Sequence, residues 1–235
     1  MFGNVPLPAS VAALRALVEQ RFPDALPITH RTTAVPSGLA PLDRILPSGG
    51  LPRGRLSAWT SRGGASAILR AACLTTVAAG ERAAWIDGLG TVTGAFWDEG
   101  PMLVRPGSAA HALRAAEELL RSGGFGLVVL SGVEPGRTES VRLTRAVRDG
   151  GAALVTLARE TQMASLRLTS CLLPHGYRWR RDPFGGPALA HLAVIRVRAQ
   201  APGWNAKTDL SIPIRHHELR LSLEPTLVDR RGVRR

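Results

Sequence analysis

The stretch that decides the fold is PSGGLPRGRLSAWTSRGGASAIL, Pro47–Leu69. A Gly-Gly-Leu-Pro turn leads into an apolar run near residues 55–60, and a glycine pair then precedes an apolar segment with helical spacing. A strand, a glycine-containing turn and a helix in this order form the first unit of an α/β domain, and they also frame a phosphate-binding loop. The residues of this turn therefore bear on both the fold and the chemistry.

The alternation of strand and helix continues after this unit. Apolar segments at 83–87, 102–105, 126–130 and 152–158 predict strands, and the segments 66–79, 109–121 and 138–148 predict the helices between them. Continuous apolar strands separated by helices indicate a mostly parallel sheet that is covered by helices on both faces. After about residue 160, segments joined by Pro/Gly turns predict antiparallel strands added to one edge, namely SLRLTSCLL, HLAVIRVRA, TDLSIPI and HELRLSLE. The fold class is therefore α/β.

Three regions are expected along the chain. Residues 1–30 contain an appendage helix, capped by Ser10 and stopped by Pro23, followed by an irregular lead-in. Residues 31–225 form the core domain. Residues 226–235 form a basic C-terminal tail.

Composition narrows the function classes. The chain has 235 residues and a net charge of +12, and Lys207 is its only lysine among 30 basic residues. Such a charge favours anionic partners such as nucleic acid or an acidic protein surface.

Cys73 and Cys171 are far apart among apolar neighbours and are predicted to be buried, not to form a disulfide or metal site. No uncharged run approaches the ~18 residues needed to cross a bilayer, so we expect a cytoplasmic protein without a membrane partner.

Two segments resemble the core of the RecA recombinase family. SGLAPLDRILPSGGLPRGRL, residues 37–56, is similar to the Gly-x-x-x-Leu-Asp segment and Gly-Gly-Leu-Pro-x-Gly-Arg turn that lead into the phosphate-loop strand of that family. GGPALAHLAVIRVR, Gly185–Arg198, is similar to the segment and strand that follow its second DNA-binding loop. The resemblance covers most of residues 36–200 and implies a RecA-like core.

The phosphate-binding residues of that family are missing. A phosphate loop needs G-x-x-x-x-G-K-[ST], in which glycines expose backbone N–H groups, lysine balances the terminal phosphates and the hydroxyl holds Mg²⁺. Here Thr60 stands at the first glycine, and either Ala65 or Ser66 stands at the lysine. The Mg²⁺-binding carboxylate expected after GLVVL is replaced by Ser131.

The remaining candidates for a nucleotide site are Gly63, Gly64, Ser66 and Asp87, and Leu89 replaces the glutamate that would orient water. Losing two charged contacts lowers nucleotide affinity by roughly 10²–10⁴. We therefore expect no cofactor, no metal and no ATPase activity. Two interpretations of the glycine pair stay open: a tight strand-to-helix turn, or a loop that still binds ATP weakly.

A RecA-like core without these residues resembles the bacterial ImuA family, accessory factors of SOS-induced, error-prone translesion synthesis. The features that carry this resemblance are GLPRGRLSAW, SGGFGLVVL with the preceding Leu119-Leu120, and the short arginine-rich C-terminus. It implies a non-catalytic adaptor that contacts RecA and an ImuB-type protein, and a DnaE-type polymerase indirectly. The alternatives are a division inhibitor of the SulA kind, an active RecA-type ATPase, or a single-strand DNA binder.

Three arginine-rich segments are candidate contact sites. HGYRWRR places the aromatics Tyr177 and Trp179 among arginines, a composition that suits either packing with solvated arginines or weak nucleic-acid or protein contact. The tail is either a solubilising end or a docking segment. A helix face with arginines at 142, 145 and 148 is either solvated or meets an acidic partner. The contact candidates are Tyr177, Arg178, Trp179, Arg180, Arg181, Arg230, Arg231, Arg234 and Arg235.

Overall fold

The computed structural model of the chain describes residues 33–92, 100–159, 161–180 and 189–214. All elements below belong to the unit that begins at Ala34. In chain order they are β1 (Ala34–Val35), α1 (Ala40–Ile45), β2 (Leu51–Pro52), β3 (Arg55–Arg62), α2 (Ala65–Ala78), β4 (Arg82–Asp87), β5 (Met102–Val104), α3 (Ala109–Arg121), β6 (Phe125–Ser131), α4 (Arg137–Gly150), β7 (Ala153–Leu157), β8 (Leu166–Arg180), β9 (Leu189–Ala201) and β10 (Trp204–Pro213).

Eight of these strands form one sheet in the order β10-β9-β8-β3-β7-β6-β4-β5, and β1 and β2 form a small antiparallel pair beside it. Every pairing from β8 to β5 is parallel, and β9 and β10 are added antiparallel. The predicted α/β class with a mostly parallel sheet and antiparallel strands at one edge is therefore confirmed, and the architecture is consistent with a RecA-like fold.

One strand differs from the expectation. The segment SLRLTSCLL was predicted to be antiparallel, but β8 runs parallel to β3, with Leu166 opposite Ser57 and Cys171 opposite Arg62. The chain after β7 crosses β3 and pairs with its free edge, where Ser165 donates its backbone N–H to the Leu56 carbonyl at 2.9 Å. Local alternation specifies which face of a strand is buried, but it does not specify the direction of its neighbour.

Helices cover both faces of the parallel part of the sheet. On one face, α1 and α2 pack over apolar side chains of β3, β8, β9 and β10, with Trp59 and Val197 fully buried among them. On the other face, α3 and α4 pack over β3, β4, β6 and β7, around Leu130 and Leu154. Among the described residues, β8, β9 and β10 carry a helix layer only on the α1/α2 face.

The helix boundaries agree closely with the sequence pattern for α3. Ser108 caps it by accepting a hydrogen bond from the His111 backbone N–H at 3.2 Å, and the helix covers the predicted residues 109–121. The segment of residues 23–50 was predicted to be an irregular lead-in, but its described part contains β1 and α1. Asp43 of α1 holds this segment by accepting from the Ser37 backbone N–H at 2.9 Å. A helix of only six residues gives too short an apolar period to be recognised.

Some expectations lie outside the described residues. These are the appendage helix within residues 1–30, the strand HELRLSLE and the basic tail of residues 226–235. Within the part of the chain that the structure describes, none of the helices has the length and apolar character needed to cross a bilayer.

Candidate functional site

The turn after β3 is shorter than a phosphate loop. β3 continues to Arg62 and α2 begins at Ala65, so Gly63 and Gly64 alone connect them. Thr60, Ser61 and Arg62 pair in register with Thr169, Ser170 and Cys171 of β8. A phosphate loop needs several residues whose N–H groups curve around an anion. Here the residues that would form that curve extend the strand instead.

The two glycines are needed for close packing. Their φ angles are 112° at Gly63 and 84° at Gly64, a region that side-chain-bearing residues rarely adopt. A Cβ atom at Gly64 would lie 2.4 Å from Ile195 Cδ1, and one at Gly63 would lie 2.8 Å from Leu172 Cδ1. The turn is therefore pressed against the side chains of β8 and β9, which gives both glycines a structural role.

The residues at the lysine position are unsuited to phosphate. Ala65 is completely buried in the core under α2, and Ser66 is exposed on the first turn of that helix. A lysine at position 65 would have to enter the core, and Ser66 supplies a hydroxyl without a charge. Neither residue supplies the cation that balances terminal phosphates.

Asp87 lies at the end of β4, opposite Ser131 of β6, and is almost completely buried. Its Oδ2 accepts the Val92 backbone N–H at 2.7 Å, and its Oδ1 accepts the Thr91 hydroxyl at 3.4 Å. Both oxygens thus stabilise the loop that follows β4. A cavity of ≈ 330 Å³ lies near the same sheet edge, lined by residues that include Leu89, Glu134 and Arg159. Asp87 is not among its lining residues.

We predict that Asp87→Ala lowers the free energy of unfolding by about 1–3 kcal/mol, because the half-buried Val92 backbone N–H loses its acceptor. Urea denaturation measures the change. The matched control is Ser66→Ala, which alters another nucleotide-site candidate but an exposed one, and should stay within about 0.5 kcal/mol of the parent. An Asp87→Ala variant as stable as the Ser66→Ala control would contradict the structural role of Asp87.

Tyr177 and Trp179 lie at the end of β8, with ring centroids 6.2 Å apart. Tyr177 lies opposite Ala193 of β9, and Trp179 lies opposite Ala190 after a register shift between Arg178 and Trp179. The rings contact each other, and the two residues stay 38% and 63% exposed. Arg181 and the four tail arginines, Arg230, Arg231, Arg234 and Arg235, lie outside the described residues.

Sequence reasoning missed a cluster of cations on the neighbouring strands β3, β8, β9 and β10. We call it the basic sheet face and define it as Arg62 of β3, Arg167 of β8, Arg196 and Arg198 of β9, and Lys207 of β10. The strand register brings these residues to the same side of the sheet. The alternation of Arg196 and Arg198 with buried Val197 and Ala199 was the available signal for it.

One pair of charges on this face is hydrogen-bonded twice. Arg196 donates from Nε to Asp209 Oδ1 and from Nη2 to Asp209 Oδ2, each at 2.8 Å. These hydrogen bonds hold the pKa of the Asp209 carboxyl below its usual range and raise the pKa of Arg196. The positive charge of Arg196 is therefore balanced by Asp209 within the basic sheet face.

The two cysteines have different environments, which corrects the expectation that both are buried. Burial raises the pKa of the Cys73 thiol to about 12, whereas Cys171 is half-buried on the basic sheet face, between Arg62 and Arg196 in register.

We predict that a thiol reagent at pH 8 modifies Cys171 in the native protein and Cys73 only after unfolding, since a thiolate is the reactive species. Mass spectrometry of the labelled peptides measures this, with Cys171→Ser as the control. Equal labelling of both thiols in the native state would refute it.

The arginines of α4 at 142, 145 and 148 are all exposed, but they differ in their partners. Arg142 forms an ion pair with Glu117 of α3, a side chain that is only 7% exposed, and Arg121 also pairs with Glu117 at 2.7 Å. Arg145 and Arg148 are exposed. Arg142 therefore joins α4 to α3 while its side chain stays more than half exposed.

No protein-family model matches this chain, and no curated protein is significantly similar to it.

Proposed function

We propose that the chain is a RecA-like binding protein that works without nucleotide chemistry, as an accessory factor of DNA-damage-induced translesion synthesis. The proposal that the chain works without nucleotide chemistry is supported by the two-residue connection Gly63-Gly64, because it leaves no loop to surround a triphosphate. The proposed role in translesion synthesis rests on the sequence resemblance to the ImuA family. The proposed partners are RecA and an ImuB-type protein.

Exposed aromatic side chains support a binding role. Tyr177 and Trp179 are among the large exposed apolar residues of the described chain, and they stand together at the end of the β8–β9 hairpin. Tyrosine and tryptophan are the residue types that most often supply binding energy at protein interfaces. We assign this pair to partner contact.

The experiment measures association of the purified chain with purified RecA, with RecA on single-stranded DNA, and with an ImuB-type protein. Tyr177→Ala with Trp179→Ala should weaken association at least tenfold, which is about 1.4 kcal/mol, while leaving the melting temperature nearly unchanged. The matched control is Val141→Ala, which truncates an exposed apolar residue of α4. Absence of association with all three partners would overturn the proposed adaptor role.

A further inference from the structure

The basic sheet face is built by cross-strand rows. In one row, Thr169 lies opposite Arg198, and Arg198 lies opposite Lys207. In the next row, Cys171 stands between Arg62 and Arg196. Neighbouring strands are ~4.8 Å apart and alternate residues of a strand ~6.7 Å apart, so the cations form a two-dimensional array instead of a single cluster. A shallow cavity of ≈ 360 Å³ lies within it, lined in part by Arg62, Arg196 and Arg198.

Charge on this face is strongly unbalanced. Among the described residues that the register places in these rows, five are cations and Asp209 is the acid, and Asp209 is already bound to Arg196. Arg62, Arg167, Arg198 and Lys207 are exposed. The register places Arg178 on the same side as well, since it lies opposite Leu192, which alternates with Val194 and Arg196. The face therefore attracts a polyanion.

Among the described residues, the exposed side chains between these cations are polar, whereas Cys171, Leu192 and Val194 on the same side are half-buried. Thr169, Gln200, Asn205 and Ser211 are exposed on the same side. The buried centre of a protein–protein interface is usually apolar and depleted of charge, whereas nucleic-acid interfaces are polar and rich in cations. The composition of this face therefore favours a phosphodiester backbone over a protein surface.

The segments of this chain that the structure leaves undescribed are poor occupants of the face. Residues 1–32 contain three arginines and two acids, a net charge of +1, and residues 215–235 contain six arginines and three acids, a net charge of +3. Neither segment is complementary to a surface of five cations. The internal undescribed residues also supply too few acids to balance five cations, since 93–99 contain two acids and no cation, 181–188 contain one of each, and residue 160 is one acid. The charge complement has to come from another molecule.

We propose that the basic sheet face binds the phosphodiester backbone of nucleic acid, without reading its sequence. Arginine side chains donate to phosphate oxygens in a geometry that suits them, and each contact releases a counterion. This site lies on the outer strands and is separate from the adaptor role proposed above, because neither the partner proteins nor the aromatic pair enters the argument. An experiment that contradicts the nucleic-acid site therefore does not contradict the adaptor role, and the reverse also holds.

The main test compares two triple variants with equal change of charge. Arg167→Gln, Arg198→Gln and Lys207→Gln remove cations from the face, and Arg55→Gln, Arg82→Gln and Arg114→Gln remove exposed cations from β3, β4 and α3 elsewhere. The probe is a fluorescent 30-nucleotide oligothymidine. Each phosphate contact adds about fivefold to the affinity at 0.1 M salt, so the face triple should bind about 100-fold more weakly and lose a salt slope of about 2 units. The control triple should bind nearly as the parent does.

A gain-of-function variant guards against a folding artefact. Asp209→Asn removes the acid of the face and frees the Arg196 guanidinium for phosphate. We expect its affinity for the oligothymidine to rise about fivefold at 0.1 M salt. A misfolded protein does not give this result. Unchanged or weaker binding by Asp209→Asn would count against the assignment.

Cys171 provides a local readout, because it sits within the array. Bound oligothymidine should slow alkylation of Cys171 by a neutral reagent, and a duplex of the same length, tested in parallel, shows whether strand number matters to the site. Polyglutamate of equal charge is the protein-like competitor. The proposal fails if oligothymidine and duplex both leave Cys171 unprotected at 50 mM salt, if the control triple loses as much affinity as the face triple, or if polyglutamate binds as tightly as the nucleic acids.

Discussion

Gly64→Ala should lower the free energy of unfolding by about 2–5 kcal/mol. The backbone at Gly64 has φ = 84°, where a side chain costs roughly 1–2 kcal/mol. The added Cβ would also meet Cδ1, Cγ1 and Cγ2 of Ile195 at 2.4–2.8 Å, and Ile195 is only 2% exposed. Overpacking a buried site adds about 1–3 kcal/mol because the neighbour cannot move away. Urea denaturation followed by circular dichroism measures the sum.

Gly203→Ala separates the two contributions to this loss. Gly203 has φ = 72°, close to that of Gly64, but a Cβ there would have nothing within 4 Å. It should therefore show only the backbone effect of about 1–2 kcal/mol. Combining Gly64→Ala with Ile195→Ala should cost less than the two single changes together, since the truncated residue makes room for the new methyl group. Equal losses for Gly64→Ala and Gly203→Ala would show that Ile195 does not constrain the turn.

The parallel core could be predicted because its signal is local. All seven residues of β6, from Phe125 to Ser131, are buried, and a continuous apolar run is what a strand covered on both faces requires. The bounds of α3, residues 109–121, were likewise predicted from the local pattern, and the structure adds Ser108 as its cap. These features depend on neighbours in the sequence, so a single chain is sufficient to reveal them.

The length of β3 depends on a distant partner. Ser61 and Arg62 are polar and lie beyond the strand predicted near residues 55–60, and only their pairing with Ser170 and Cys171 makes them part of β3. The phosphate-loop alignment failed to show this because the deciding contact lies more than 100 residues away in sequence. The basic sheet face was missed for the same reason. Its cations come from four strands, and register alone brings them together.

Mg²⁺-ATP should bind this protein with a dissociation constant in the millimolar range or weaker. Relative to a phosphate loop with lysine and a Mg²⁺-binding carboxylate, the missing charged contacts lower affinity by roughly 10²–10⁴. The geometry adds a second reason, because the two-residue turn between β3 and α2 cannot surround a triphosphate. Calorimetry at 0.15 M salt measures the dissociation constant, and hydrolysis is followed as phosphate release.

A weak calorimetric signal needs a control, because the triphosphate of ATP is itself an anion that the basic sheet face attracts. Attraction of this kind should be matched by inorganic tripolyphosphate, fall as salt rises, and fall further in the variant with Arg167→Gln, Arg198→Gln and Lys207→Gln. Binding at the turn after β3 would behave differently. It would require Mg²⁺, prefer ATP over tripolyphosphate and survive the loss of those cations, because they lie on the outer strands and not at the start of α2. A micromolar dissociation constant with these three properties would show that the turn after β3 still binds nucleotide, and that its glycines serve phosphate as well as packing.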